Sequence, residues 1–263
     1  MIDGKLGVAI HGAGQVAYAH AASWLKNPHA KIISVTSRRK ESAQALVDKV
    51  GLDCPAGNDY DQVLADERVD IVNLSGPNHV HTVQGVAAAR VGKHMLMEKP
   101  MCISMEENRA LREAVSTAGV KSVVSFVLRW NPLVKNLKAL LAQGAIGETF
   151  YCEIDYWHGL SDWWTGFEWG HKLDSGASTM LTGGCHAVDA IRWLMGEEIA
   201  EVSAFANNVK GNFEYPANVV AALRFAGGEV EHGPRRRWPC PVHAGRRRGR
   251  GCRCKSRRDA SSE

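Results

Sequence analysis

The sequence predicts an α/β fold: a Rossmann-type parallel sheet with flanking helices over residues 1–126, then an incomplete α+β unit with an antiparallel sheet over 127–228. Three observations carry this. Short apolar runs without polar alternation recur through the first half, as strands buried on both faces require. Helical stretches separate them, and that alternation builds a parallel sheet through right-handed crossovers. A glycine-rich turn joins the first run to the first helix, the place where such a sheet holds a dinucleotide.

The elements follow in order. Leu6-Gly7-Val8-Ala9-Ile10 is a short buried strand that ends at glycines, and a helix is expected over Gln15–Leu25. Lys31-Ile32-Ile33-Ser34-Val35 is the second strand, with a helix over Lys40–Val50. Asp70-Ile71-Val72-Asn73-Leu74 is a third, followed by the turn Gly76-Pro77-Asn78 and a helix to Val91. His94-Met95-Leu96-Met97 is a fourth. Ser104, ahead of Glu106 and Glu107, is placed to cap a helix that runs to Ala118. Residues 120–127 give one more strand. A helix over 133–141, a strand over 149–156, a helix over 179–194 and strands over 201–209 and 218–225 make the second unit.

Composition narrows the class. Hydrophobic residues are 45% and charged residues 23%, enough apolar content for a folded core,. No apolar run reaches the length of a membrane span, so no membrane is expected. The start lacks the pattern of a secretory signal. Seven scattered cysteines suit reduced thiols, so a cytoplasmic location is expected,. The net charge of +4 is uneven: residues 229–263 hold eleven Lys/Arg against four Asp/Glu, and the remainder holds 21 against 24. A nucleic-acid partner would rest on that tail alone and is not expected. No metal is expected either, because Cys252 and Cys254 stand too close together and lack partners.

The chemistry-bearing residues cluster at strand ends. In Gly12-Ala13-Gly14-Gln15-Val16-Ala17 the first glycine permits the tight turn and the second lets a pyrophosphate approach the backbone,. The free N–H groups of Gln15 and Val16 open the helix toward that anion. The second strand ends in Thr36-Ser37-Arg38-Arg39 with no acid until Glu41. A carboxylate there would accept from a ribose 2′-OH; hydroxyl and guanidinium suit a 2′-phosphate, so NADP is favoured over NAD. The plain alternative is a solvated basic turn. Glu98-Lys99-Pro100 closes the fourth strand, and a lysine there can move a proton at a substrate hydroxyl; otherwise it is a surface lysine. An aromatic loop holds Trp157, Trp163, Trp164, Phe167 and Trp169, rings that can cover sugar C–H faces or simply form core,. Arg129 lies just past the first unit, within reach of the same cleft.

These motifs resemble the Gfo/Idh/MocA oxidoreductase family. The matching stretches are Gly12–Ala17, Pro77-Asn78-His79 with His81, Gly92-Lys93-His94 leading to Glu98-Lys99-Pro100, and Gly183-Gly184-Cys185-His186-Ala187-Val188-Asp189, within residues 5–228. The resemblance implies an NAD(P)-dependent enzyme acting on a sugar or polyol. It implies catalytic roles for Lys99 and His186; together with the strand-end reading above, the expected cofactor contacts are Gly12, Gly14, Gln15, Val16, Ser37, Arg38, Arg39, Pro77, Asn78, His81, Glu98 and Lys99. With the aromatic loop and the position of Arg129, the expected substrate contacts are Lys99, Arg129, Trp157, Thr182 and His186. Many members place an aspartate four residues before the histidine; here Thr182 stands there.

From Glu229 the Arg/Pro/Gly/Cys mixture departs from the family, as a changed reading frame would. A disordered basic tail is expected over 229–263, unable to add a strand, with the sheet before it left with an unpaired edge and an uncovered face,. A family-like homo-oligomer is accordingly doubtful, and the chain is expected to be a poor enzyme. The resemblance leaves two other readings open: an NAD-dependent glycoside hydrolase and a non-catalytic dinucleotide-binding regulator.

Overall fold

The computed structural model describes residues 3–159, 161–209, 212–226 and, as backbone only, 240–245. Six strands form the first sheet: β1 (Leu6–His11), β2 (Ala30–Thr36), β3 (Ala56–Gly57), β4 (Ile71–Leu74), β5 (His94–Met97) and β6 (Ser122–Val124). Their order is β3-β2-β1-β4-β5-β6, and every pairing is parallel. The strand order reverses between β1 and β4, which opens a crevice at their carboxyl ends.

Helices cover both faces. α1 (Gln15–Leu25) and α2 (Lys40–Val50) bury Ala17, Ala21, Ala43 and Leu46 against Ile10, Ile32 and Val35. On the opposite face α3 (Tyr60–Ala65), α4 (His81–Arg90) and α5 (Met105–Ala118) bury Val63, Ala88, Ala89 and Leu111 against Ile33, Val72, Met95 and Met97. Alanines at the contacts let helices and sheet approach closely. The expected cap on α5 is present: the Glu107 N–H donates to Ser104 Oγ at 3.1 Å. The short β3 and α3 carry too few apolar residues to show periodicity and were not expected. The sixth strand is shorter than 120–127, because a 3₁₀ turn over Val127–Trp130 takes its end.

The second unit opens with α6 (Pro132–Ala142), β7 (Ile154–Trp157) and α7 (Phe167–Gly170). A π turn over Met180–Gly184 runs directly into α8 (Cys185–Met195), followed by β8 (Ile199–Asn207), β9 (Asn218–Phe225) and β10 (Cys240–Gly245). The sheet order is β7-β10-β9-β8. Ala187 and Ile191 of α8 seal one face against Ala221, Leu223 and Phe225. At the edge, β8 is exposed from Ala200 to Asn207, with Val202 and Phe205 open to solvent. An uncovered face was expected there.

One expectation is corrected. Residues 240–245 form a strand inside the expected unstructured tail, antiparallel to β9 and parallel to β7. This six-residue stretch is free of Arg and Lys, and it satisfies edge groups that β9 would otherwise leave open,. Pro241, which has no N–H, pairs with Ala222 on one side only, since the pairing with β7 begins at Val242,. The remaining tail residues lie outside the described residues. No helix among the described residues is long and apolar enough to cross a membrane.

Ile191, fully buried in the α8 contact, is the residue on which that seal depends. Ile191→Ala should cost about 2–5 kcal/mol, read as a lower urea midpoint for tryptophan fluorescence.

Candidate active site

A cleft of about 1130 Å³ lies where the carboxyl ends of β1, β2, β4 and β5 face the second unit. At one end sits the glycine turn. Gly12 has φ +107°, and a Cβ on it would stand 2.5–2.7 Å from the Ser75 and Gly76 backbone, so no other residue fits. Gly14 is different: a Cβ there would meet no heavy atom within 4 Å. The space over it is open, and α1 begins there with no side-chain cap and no acid in its first turn. Unshielded N–H groups beside an open approach fit a pyrophosphate.

Ser37, Arg38 and Arg39 line the cleft beyond β2. Neither guanidinium forms an ion pair among the described residues, so both are available to an anion. His11, the last residue of β1, packs against Tyr60 with ring centroids 4.3 Å apart and the rings tilted by 32°, and pairs with Thr36 Oγ1 through Nδ1 at 2.8 Å. Burial brings its imidazole down to about 4. Sequence reasoning passed over this pair; a histidine closing a buried strand beside the glycine turn was the available signal.

Lys99 sits on the cleft wall after β5. Its Nζ donates to the Thr182 carbonyl at 2.9 Å, across to the π turn of the second unit. Asn78 Nδ2 donates to Thr182 Oγ1 at 3.2 Å and to the Gly176 carbonyl at 3.3 Å, and Thr182 Oγ1 donates to Gly176 O at 2.9 Å. The wide turn thus presents one carbonyl to Lys99 and one hydroxyl to Asn78, a use of π geometry common at functional sites. Tyr156, His158, Trp164 and Trp169 line the rest of this half.

Twelve expected site residues line the cleft: Gly12, Gly14, Gln15, Val16, Ser37, Arg38, Arg39, Pro77, Asn78, Glu98, Lys99 and Thr182. Four do not. His81 is buried under the floor, its ring nitrogens 2.7 Å from the Pro100 carbonyl and 2.9 Å from that of Gly76, so it ties two cleft turns together. Arg129 is committed to Asp189 by two hydrogen bonds of 2.8 and 2.7 Å. Trp157 points to solvent at 54% exposure, because strand alternation turns it away from Tyr156 and His158,. His186 is buried against Tyr156 and Phe126, with Nδ1 unpartnered. Burial, and then the nearby Lys99 charge, bring it down to about 4. Asp189, one turn on, serves Arg129 rather than this imidazole. In the aromatic loop, Phe167 packs on Phe213 as core.

Two family models match these two units: the oxidoreductase family, NAD-binding Rossmann fold, over residues 6–126, and the GFO/IDH/MocA C-terminal domain over 134–232. The chain belongs to the Gfo/Idh/MocA oxidoreductase family. The match to the second model runs past Gly228, where the departure from the family was expected. Among characterised relatives, scyllo-inositol 2-dehydrogenase (NAD(+)) of Bacillus subtilis is 28% identical over 85% of this chain and 66% of its own length. Levoglucosan dehydrogenase of Pseudarthrobacter phenanthrenivorans is 26% identical over 88% and 61%. D-Xylose 1-dehydrogenase (NADP(+)) 2 of Haloferax volcanii is 30% identical over 74% and 58%. The chain therefore spans less than two thirds of these relatives. A solved levoglucosan dehydrogenase, in complex with NADH and levoglucosan, superposes with a TM-score of 0.83 at 25% identity, over 94% of this chain and 68% of that one.

The two glycines separate by role. Gly12→Ala should destabilise the fold by about 1–3 kcal/mol or more through backbone strain and collision. Gly14→Ala should leave the urea midpoint nearly unchanged yet weaken NADH binding at least about tenfold in calorimetric titration. Acid should also weaken the fold. His11 and His186 stay neutral in the folded chain down to about 4, whereas unfolded imidazoles take protons near 6.5. The unfolded state then binds more protons, so stability falls as pH drops from about 6.5 toward 4. Urea midpoints at pH 6.5 and 5.0 should show the fall, and His11→Gln should reduce it.

Proposed function

We propose that this chain is the body of a nicotinamide-dependent dehydrogenase that interconverts a hydroxyl and a carbonyl on a sugar or polyol, with NADP(H) preferred over NAD(H). One observation carries the reading: Lys99 Nζ stands on the cleft wall, between a dinucleotide cradle and the second unit. The nicotinamide, when bound, accepts or returns the hydride. The protein's own residues do the rest. Gly14 and the open start of α1 hold the pyrophosphate, and Pro77 and Asn78 form the wall beside the nicotinamide.

Lys99 moves the hydroxyl proton at Nζ. Its contact with Thr182 O fixes that atom, so the reacting hydroxyl approaches a group already in place. Thr182, standing where many family members carry an aspartate, acts through its carbonyl and has its hydroxyl occupied. His186 is off the wall and has the lesser part in proton transfer. Trp164 and Trp169 offer ring faces to the C–H side of a carbohydrate. The relatives named above include both an NAD(+) and an NADP(+) enzyme, so the cofactor preference rests on Ser37, Arg38 and Arg39. Each of those relatives is a dehydrogenase, which favours this reading over glycoside hydrolysis or a regulator. Four free cysteines among the described residues favour a reducing cytoplasm,.

Turnover on a panel of sugars and polyols, followed at the nicotinamide absorbance band, tests the reading. Lys99→Ala should lower turnover by about 10²–10⁴ with cofactor affinity little changed, and His186→Ala should cost less. A larger loss in His186→Ala than in Lys99→Ala would reverse the assignment between the two residues. Separately, Arg38→Ala should cost NADP(H) about 1.5–3 kcal/mol of binding and leave NAD(H) unaffected in parallel titrations.

A further inference from the structure

Beneath Lys99 lies a buried polar cluster of which Glu98 alone lines the cleft. His20 on α1, Asn73 on β4, Glu98 after β5 and Trp24 on α1 meet there, and the first three are almost wholly buried. His20 Nδ1 is 2.7 Å from Asn73 Oδ1, and His20 Nε2 is 2.9 Å from Glu98 Oε1. Trp24 Nε1 reaches the same Asn73 Oδ1 at 2.9 Å. Glu98 Oε2 accepts the Lys99 backbone N–H at 3.1 Å, and Ser125 adds a side-chain hydrogen bond.

Donor and acceptor logic restricts the protons. An indole N–H only donates, so the atom of Asn73 facing Trp24 is its oxygen. His20 Nδ1 shares that oxygen and therefore carries a hydrogen. Two arrangements remain at Nε2: an imidazolium donating to a carboxylate, or a neutral Glu98 acid donating to the ring. The surroundings select the first. Apart from His20, Glu98 receives donors from Ser125 and the Lys99 backbone, and the Lys99 ammonium also favours its charge,.

We propose that His20 is a positioning residue for the active-site lysine: doubly protonated and clamped between Asn73 and Glu98, it fixes the carboxylate that holds the Lys99 backbone. The pathway is contiguous, from His20 to Glu98 Oε2 to the Lys99 N–H. Burial works against both charges, but the hydrogen bonds to Glu98 and Asn73 raise His20 above its ordinary value, and those from His20 and Ser125 lower Glu98. The other titratable groups facing Glu98 are Lys99, His81, His186 and the Cys185 thiol. Burial works against charge on both histidines, although both ring nitrogens of His81 face carbonyl oxygens, and burial pushes the thiol up to about 11. The Lys99 ammonium favours the same carboxylate.

The inference rests on the reading of Lys99 as the reactive group, but its test needs no turnover. In the full chain labelled with ¹⁵N-histidine, both ring nitrogens of His20 should show imidazolium shifts at pH 7.5, where an ordinary imidazole, titrating near 6.5, is mostly neutral. In His20→Gln, amide exchange at Lys99 should quicken at least about tenfold. The Met95 and Glu98 amides, which bond to the Lys121 and Leu74 carbonyls within the sheet, should keep their protection. A neutral His20 ring overturns the proposal. So does a folded variant whose Lys99 amide exchanges as before, or one in which all three amides lose protection together, as a purely structural role would give. If His20→Gln does not fold, His20→Asn serves the same comparison, and the ring spectrum of the unaltered chain still decides the protonation. Imidazolium shifts with no sugar oxidation would leave His20 in place and remove the catalytic reading of Lys99.

Discussion

The contact between Lys99 Nζ and the Thr182 carbonyl, with Asn78 bonding the same residue and Gly176, holds the two halves of this molecule around one cleft. Each partner is placed by a different constraint. Lys99 follows a central strand of the parallel sheet, and Asn78 follows its neighbour. Thr182 sits in the turn that starts α8, which the second sheet holds from below through Ala187 and Ile191. The geometry of the cleft is therefore set jointly by the packing of two cores.

Much of the first sheet was readable because its signals are local. An uninterrupted apolar run, a glycine turn and a serine cap each declare themselves within a few residues, and the strands, α1 and the α5 cap follow from them. β3 and α3 were missed because two and six residues cannot display a period. The second unit was less legible, since its strands depend on pairing. The strand over 240–245 shows this most clearly. Nothing in its own sequence favours a strand over a loop, and the open edge of β9 supplies what the sequence lacks.

The same distinction applies to the cleft. Glycine and strand-end residues were found because backbone position alone puts them there. His81 and His186 were expected by resemblance, and Arg129 and Trp157 from their places in the chain; their side chains are turned or engaged elsewhere in the fold. Arg129 meets Asp189 sixty residues away, and His81 meets the carbonyls of two turns. The buried cluster of His20, Asn73 and Glu98 was invisible for the converse reason. Three ordinary polar residues on three separate elements become a unit only when helix and sheet are packed.

The π turn over Met180–Gly184 carries one residue more than an α-helical path of the same span would need. Successive residues of a regular helix are rotated by about 100° and rise about 1.5 Å. Deleting a single residue within 180–184 would let the segment relax to ordinary helix and leave α8 on its sheet. The residues of the turn itself would then be re-registered by up to that angle, and the Thr182 carbonyl would leave Lys99. The register of one turn is thus a one-residue adjustment of how the second unit meets the dinucleotide sheet, open to insertion and deletion without any change to either core.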